Sequence, residues 1–342
     1  MAIRPFDWRD LPVLIRYRNQ GMFFDTALVL TRGPLLVPAG AILSYFAPAT
    51  GIFTYLYPDD GNSYGPLMGQ VMHSSNATFA RLSFLAPQEA LESANVPALL
   101  EHLIKKIGNR GALHLLAEVD ERSIAYEVLR RSSFAIYARQ RVWKVDGDTP
   151  DDHEMEHWRD GRSRDIMTVR SLYNNLVPGL VQQVEPPPNS HLHGIVYQQK
   201  DELLAYVEIK YGLRGIWIQP YIHPDAEELA SQLGGLIANL PFRRSRPVYI
   251  CVRSYQSWLE PAIEDLGATP GPRQAVMVKH LAIAKRLVRS FALKRLEGGH
   301  PEITAPIAHS ENAPSKLVQS AIGQSQIGRP QVARSRNAYF ER

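Results

Sequence analysis

The order of structural signals in the first 145 residues recurs in residues 157–281, and this repetition constrains the fold more than any other feature. Arg139-Gln140-Arg141-Val142-Trp143-Lys144-Val145 aligns with Arg273-Gln274-Ala275-Val276-Met277-Val278-Lys279. Upstream, Leu115-Leu116-Ala117-Glu118-Val119 aligns with Val248-Tyr249-Ile250-Cys251-Val252, and Asp10 and Asp165 open comparable helices. The offset between copies falls from 155 residues at Asp10/Asp165 to 134 at Arg139/Arg273, so the second copy is the shorter. A chain of 342 residues has room for two domains at roughly 150 residues each. Duplication of one α/β unit is the reading that follows.

Local patterns place the elements. In the first copy, a short strand at 2–5 and a helix near 11–19 precede strands near 51–57, 67–73 and 77–85. Apolar residues at 96, 99, 100, 103, 104 and 107 have helical spacing with one buried stripe. A strand near 113–119, a helix near 121–131 and a closing strand near 136–145 follow. The second copy reads as a helix at 165–175, a rigid loop Glu185-Pro186-Pro187-Pro188-Asn189, strands near 193–198, 203–210 and 215–222, a helix at 225–239, a strand at 247–252, a helix at 256–265 and a strand at 273–280.

Between the copies, 146–165 is almost wholly polar, with the linker itself at 146–156. After Leu281 a basic amphipathic helix is expected at 282–297, with Ile283, Leu287, Val288 and Phe291 on one face and Lys285, Arg286, Arg289, Lys294 and Arg295 on the other. A buried apolar face with a solvated charged face is ordinary for a helix docked on its own domain. The alternative is that the charged face meets an anionic partner, a membrane surface or nucleic acid. Residues 298–342 have the composition of a disordered tail.

No charge occurs between Arg32 and Asp59, but Pro34, Pro38, Gly40, Pro48 and Gly51 interrupt the stretch. It reads as a short buried helix near 35–46 followed by a strand, not as a transmembrane segment. Met1 to Trp8 has no apolar run behind a basic start, so no signal peptide is expected and the cytoplasm is the expected location. A single cysteine, Cys251, excludes an internal disulfide framework and a Cys-rich zinc ribbon. A net charge of +4 excludes a polyelectrolyte that coats nucleic acid.

The order strand, helix, three antiparallel strands, helix, strand, helix, strand resembles the GNAT superfamily of N-acetyltransferases. Residues Ile3 to Asp10, Leu116-Ala117-Glu118-Val119, Phe134 and Tyr137-Ala138-Arg139 carry the resemblance in copy one. Val252, Leu259, Leu266-Gly267-Ala268 and Val276 to Lys279 carry it in copy two. The resemblance implies an α/β fold of two tandem acetyltransferase-like domains, 1–145 and 157–281, each a mixed, mostly antiparallel sheet flanked by helices. It further implies acetyl-CoA as cofactor, splayed between the fourth and fifth strands near Ser83, Phe84 and Leu85 in copy one or Gln219, Tyr221 and Ile222 in copy two. Backbone groups there would pair with the pantetheine amides, and a small-molecule or peptide amine would accept the acyl group.

Three family features are altered, the third in copy one alone. The pyrophosphate loop, where glycines let backbone N–H groups converge on phosphate at a helix N-terminus, reads Ala86 to Asn95 in copy one and Tyr221 to Glu228 in copy two, both without glycine and both acidic. The usual tyrosine acid falls at Leu129 and Ile263, so no catalytic residue is assigned. The family's Gly before Phe is Ser133 in copy one and Gly267 in copy two.

His153-Glu154-Met155-Glu156-His157 matches the zinc-peptidase pattern H-E-x-x-H. Its polar flanks give no helix face to bury and no third ligand follows at a known spacing, so no metal is expected. Two readings stand. One is an acyl-CoA-dependent N-acetyltransferase-like protein; the other is a non-catalytic binding or regulatory module that keeps the cleft.

Overall fold

The computed structural model describes residues 2–281 apart from 59–63, 76, 147–156, 189, 190, 201, 242, 244 and 245. The helix expected at 282–297, the tail, and all of the linker except Asp146 lie outside the described residues.

The first copy contains β1 (Arg4–Pro5), α1 (Leu11–Tyr17), β2 (Met22–Phe23), α2 (Thr26–Arg32) and α3 (Leu36–Phe46). It continues with β3 (Ile52–Tyr57), β4 (Leu67–Met72), β5 (Phe79–Ala86), α4 (Asn95–Gly108), β6 (His114–Asp120), α5 (Ile124–Arg131) and β7 (Ala135–Val145). The second contains β8 (Trp158–Asp160), α6 (Ile166–Leu176), α7 (Gly179–Val184), β9 (Gly194–Gln199), β10 (Glu202–Tyr211) and β11 (Ile216–Ile222). It closes with α8 (Leu229–Ala238), β12 (Val248–Arg253), α9 (Glu260–Asp265) and β13 (Thr269–His280).

All these strands join one sheet in the order β1-β3-β4-β5-β6-β13-β7-β12-β11-β10-β9-β8, with β2 attached to β5. The two copies exchange their last strands. β13 lies between β6 and β7, and β7 pairs with β12 on its other side. The closing strand of each copy therefore completes the sheet of the other. The sequence reading has 136–145 completing its own segment; the strand is where expected, but its neighbours are not.

The repeat is visible at atomic detail. Arg4 makes a bidentate pair with Asp10 at 2.7 and 2.6 Å, and Arg159 makes the same pair with Asp165 at 2.6 and 2.9 Å. Each carboxylate also accepts a backbone N–H three residues upstream, from Asp7 or Arg162. Ser133 and Gly267, the two aligned turn positions, both have left-handed backbone, at φ 63° and 74°. Glycine adopts that conformation freely, whereas a side chain there strains the backbone.

Helices α4 and α5 cover one face of the sheet in the first copy through Leu99, Leu100, Leu103, Ile107, Val128 and Leu129. Leu233, Leu236 and Ile237 of α8 and Ile263 of α9 do the same in the second. The opposite face is packed by α1 and α3 near Met68 and Phe84, and by α6 and α7 near Tyr206 and Tyr221.

Several local expectations are corrected. β2, α2, α7 and β8 were not anticipated from sequence. The helix expected at 225–239 begins only at Leu229, because Glu228 has left-handed backbone (φ 51°) and the Ala226 N–H closes a turn onto the His223 carbonyl at 3.0 Å. The closing strand begins at Thr269 instead of 273. The helix expected to be buried at 35–46 forms as α3, but only Val37, Pro38, Gly40 and Ala41 are buried, while Leu36, Leu43, Tyr45 and Phe46 are exposed.

Candidate functional site: two closed strand splays and a cleft at the seam

β5 and β6 run parallel for three residue pairs, Phe79/His114 to Arg81/Leu116, and then diverge. β11 and β12 do the same over Ile216/Val248 to Ile218/Ile250. Each divergence exposes the edge of the preceding strand, and the sequence-predicted residues Ser83, Phe84, Leu85, Gln219, Tyr221 and Ile222 sit just beyond these points, all buried.

In the first splay the edge is taken by the chain itself. β2 pairs antiparallel with β5, Met22 against Leu85 and Phe23 against Phe84. The Phe24 N–H donates to the Ser83 carbonyl at 3.2 Å, and the Glu118 N–H of β6 donates to the Phe24 carbonyl at 2.8 Å. The segment thus bridges both diverging strands. Gly21 permits the approach: a Cβ there would lie 2.0 Å from the Phe84 ring. A bulge in β5 opposite Gln70 and Val71 turns the Ser83 hydroxyl onto the Gln70 carbonyl at 3.1 Å. The backbone groups assigned to a cofactor at Ser83, Phe84 and Leu85 are engaged in these internal pairings.

In the second splay one side chain does the same work. Gln256, 2% exposed, follows β12 in a 3₁₀ turn. With its amide nitrogen toward the Pro220 carbonyl (3.0 Å) and its oxygen toward the Ile222 N–H (3.1 Å), it satisfies both edge groups of β11. Gln219 and Tyr221 turn their side chains to the other face and bond each other, amide to hydroxyl, at 2.8 Å.

Neither edge fits acetyl-CoA as the resemblance implies. The backbone groups that would meet pantetheine are already paired. Where a pyrophosphate would sit, copy one has a 3₁₀ turn, Gln88–Ala90, with Ala90 and Leu91 buried, and copy two has the His223–Ala226 turn. Leu129 and Ile263, at the tyrosine-acid positions, are fully buried core residues.

Where α2 approaches β10 and β11 across the seam between copies, a cleft of about 450 Å³ opens, continuous in its lining with one of about 240 Å³ beside Glu185. Both share Arg81, His193, Glu208, Lys210 and Gln219. Its charged residues are held from both copies. Arg81 Nη1 meets Glu118 Oε1 at 3.0 Å, and Glu118 Oε2 accepts the Thr26 N–H at 3.0 Å. Asp25 caps α2 by accepting the Leu28 N–H at 2.9 Å, with its carboxyl on the cleft wall. Lys210 pairs with Glu208 at 3.2 Å. Burial raises the Asp25 pKa; Arg81 pulls it down, but the Glu118 charge adds to the rise.

Beneath the cleft lies a second buried network. Arg253, 3% exposed, pairs with Glu185 at 2.9 Å, and Glu185 also accepts the Tyr137 hydroxyl. Burial alone would raise the Glu185 pKa, but Arg253 and Arg81 hold it below the usual carboxylate value. A chain of hydrogen bonds crosses the exchanged strands. Thr26 Oγ1 and Gln140 Nε2 both donate to Gln274 Oε1, at 3.3 and 2.9 Å, and the Cys251 thiol donates to Gln140 Oε1 at 3.4 Å. Burial pushes that thiol up to about 12, which keeps it protonated and unreactive.

Of the splay and cleft residues, the sequence reading singles out Ser83, Phe84, Leu85, Gln219, Tyr221, Ile222 and Cys251. It passes over Phe24, Asp25, Arg81 and Gln256. The usable signal was a lone acid, Asp25, in an otherwise apolar stretch before a helix. Of the H-E-x-x-H residues only His157 is described; it is exposed, with its ring edge-on to Tyr197.

No family model and no curated protein matches the chain. Among solved structures it is similar to a GCN5-related N-acetyltransferase from Sphaerobacter thermophilus, at 10% identity and a TM-score of 0.51, over 82% of this chain and 95% of that one. It also matches a tandem GNAT protein from the clavulanic acid biosynthesis pathway, at 15% identity and a TM-score of 0.46, over 82% and 98%.

Proposed function

On this tandem GCN5-related N-acetyltransferase fold, we propose a ligand-binding module in place of an acetyl-CoA-dependent transferase, with the seam cleft as its site. The observation behind this reading is the pairing of Met22–Phe24 with both strands of the first splay, matched by Gln256 in the second. A strand edge already satisfied has no free groups to offer a cofactor, and displacing its partner would leave buried groups unpaired.

The cleft suits a small zwitterion, a primary amine that also bears a carboxylate or phosphate. Its volume lies in the range of small-molecule sites. Asp25 and Glu208 can receive an ammonium, and Lys210 and Arg32 an acidic group. Leu28 and Trp217 give the ligand body an apolar wall. An ammonium beside Asp25 would favour its charged form and offset the rise in pKa.

A thermal-shift titration tests this. CoA and acetyl-CoA are expected to leave the melting temperature unchanged, while one of a panel of amino acids and amino phosphonates raises it saturably. A ligand at a hundred times its Kd stabilises by about 2.7 kcal/mol. Asp25→Asn and Lys210→Ala should remove that response. Saturable stabilisation by CoA and acetyl-CoA together would overturn the reading.

A second reading rests on the difference between the splays. The first is closed by backbone, but the second only by the Gln256 side chain. Acyl transfer in the second copy would require that side chain to swing aside, with Gln219, Tyr221 and Ile222 then lining the cofactor. Under this reading Gln256→Ala would bind acetyl-CoA more tightly than the native chain does.

A further inference from the structure

We propose that α3, with the adjoining surface of α1, docks on an anionic lipid membrane. Helix α3 is apolar all round, yet only one side of it is buried. A helix of that kind is normally enclosed by protein or lipid. Its other side exposes Leu36, Leu43 and Phe46, the last by 75%, and Trp8 and Ile15 near α1 are exposed by 57% and 61%. Scattered exposed apolar side chains need no explanation, but a run of them on one helix marks an interaction surface.

Charge selects the occupant. Between Arg4 and Pro58 the chain has three acids, of which Asp10 and Asp25 are buried and Asp7 is half-buried, and five arginines, Arg4, Arg9, Arg16, Arg18 and Arg32, which are all exposed. Arg214 joins Arg32 at the start of α3, where its side chain packs on Gly33. An apolar surface on a stretch whose exposed charges are arginines matches a layer of acidic headgroups over acyl chains. A second copy fits less well, because a two-fold contact would set these arginines against their own images.

The helix lies on the membrane and does not cross it. Eleven residues span about 16 Å at 1.5 Å per residue, against a hydrocarbon core of about 30 Å. α2 and α3 are bent by 97°, so the pair does not form one straight span. An interfacial docking helix with terminal aromatics, here Tyr45 and Phe46, needs neither condition.

The test is flotation of the full chain with phosphatidylcholine vesicles, with and without phosphatidylglycerol. The native chain is expected to float with the phosphatidylglycerol vesicles and to release at high salt. Leu43→Ser/Phe46→Ser should weaken partitioning by roughly tenfold or more, since each change removes apolar area from the lipid contact. Both positions are exposed, so the variant should melt as the native chain does. The variant leaves 282–297 intact; undiminished flotation would assign binding to that segment and overturn the proposal. So would absence of flotation by the native chain, or sedimentation as a dimer that the variant converts to a monomer.

Discussion

Phe24 and Ser83, 59 positions apart in the chain, are joined by a backbone hydrogen bond of 3.2 Å, and the same peptide segment is held on its far side by Glu118 at 2.8 Å. Two diverging strands are closed by three residues. The Phe24 ring is itself 1% exposed in the first-copy core. Phe24→Ala should therefore cost roughly 3–5 kcal/mol, from lost burial and the cavity left behind. Urea unfolding would measure it, and a cost under 1 kcal/mol would mean that the segment is not anchored there.

Gln256 closes the other splay by polar contacts alone. Gln256→Leu keeps most of the volume but strands the Pro220 carbonyl and the Ile222 N–H. A buried group left unpaired costs about 1–3 kcal/mol. We expect a loss of that order or greater in chemical denaturation, with Gln256→Ala similar or worse. A neutral substitution would show that water satisfies the edge.

Much of this architecture was legible locally. The stripe at 96, 99, 100, 103, 104 and 107 falls on α4, buried except at Ile104, which is partly buried, because helical periodicity reports one buried face directly. Asp10 and Asp165 match from sequence, and each holds an arginine six positions upstream, Arg4 and Arg159. The strand exchange was not legible. β7 and β13 contain similar patterns, Arg-Gln-Arg-Val and Arg-Gln-Ala-Val, each from the fifth residue of the strand, and a strand pattern states which faces are buried without stating which strand lies alongside. Closure of the splays was hidden for a related reason. β2 is two residues long, too short for periodicity, and Gln256 gains its meaning only from backbone 34 residues away.

Glu185 and Arg253 are each other's opposite charge, with the Arg253 side chain 3% exposed and that of Glu185 13% exposed. Glu185→Gln would leave the Arg253 guanidinium, 3% exposed, without its opposite charge. Breaking a buried pair from one side costs about 3–5 kcal/mol, whereas replacing both partners by apolar residues is often near neutral. Glu185→Gln should thus destabilise strongly and Glu185→Leu/Arg253→Met much less, as read by thermal melts of the three proteins. Equal losses in both variants would argue against that coupling.

Acid should weaken the second copy through Asp165. The hydrogen bonds from Arg159 lower this carboxyl from 3.8 to about 2, outweighing the upward push of burial. Because the folded value lies below the unfolded one, its contribution is full above about pH 4 and is lost as pH falls toward 2. Asp165→Asn should be less stable than the native chain at neutral pH, and the gap should narrow through that acid window. A gap of constant size from pH 7 to pH 2 would contradict the assignment.

The exchange of β7 and β13 has a consequence for how such a chain can be divided. A gene fragment ending at residue 145 would encode a sheet without the strand that belongs beside β6, and would present β7 with no β12 to receive it. The complementary fragment would be left open at the same place. Neither product is a self-sufficient unit, yet the two together hold every strand of the sheet. Supplied as separate polypeptides they would find each other, each serving as the template on which its counterpart folds.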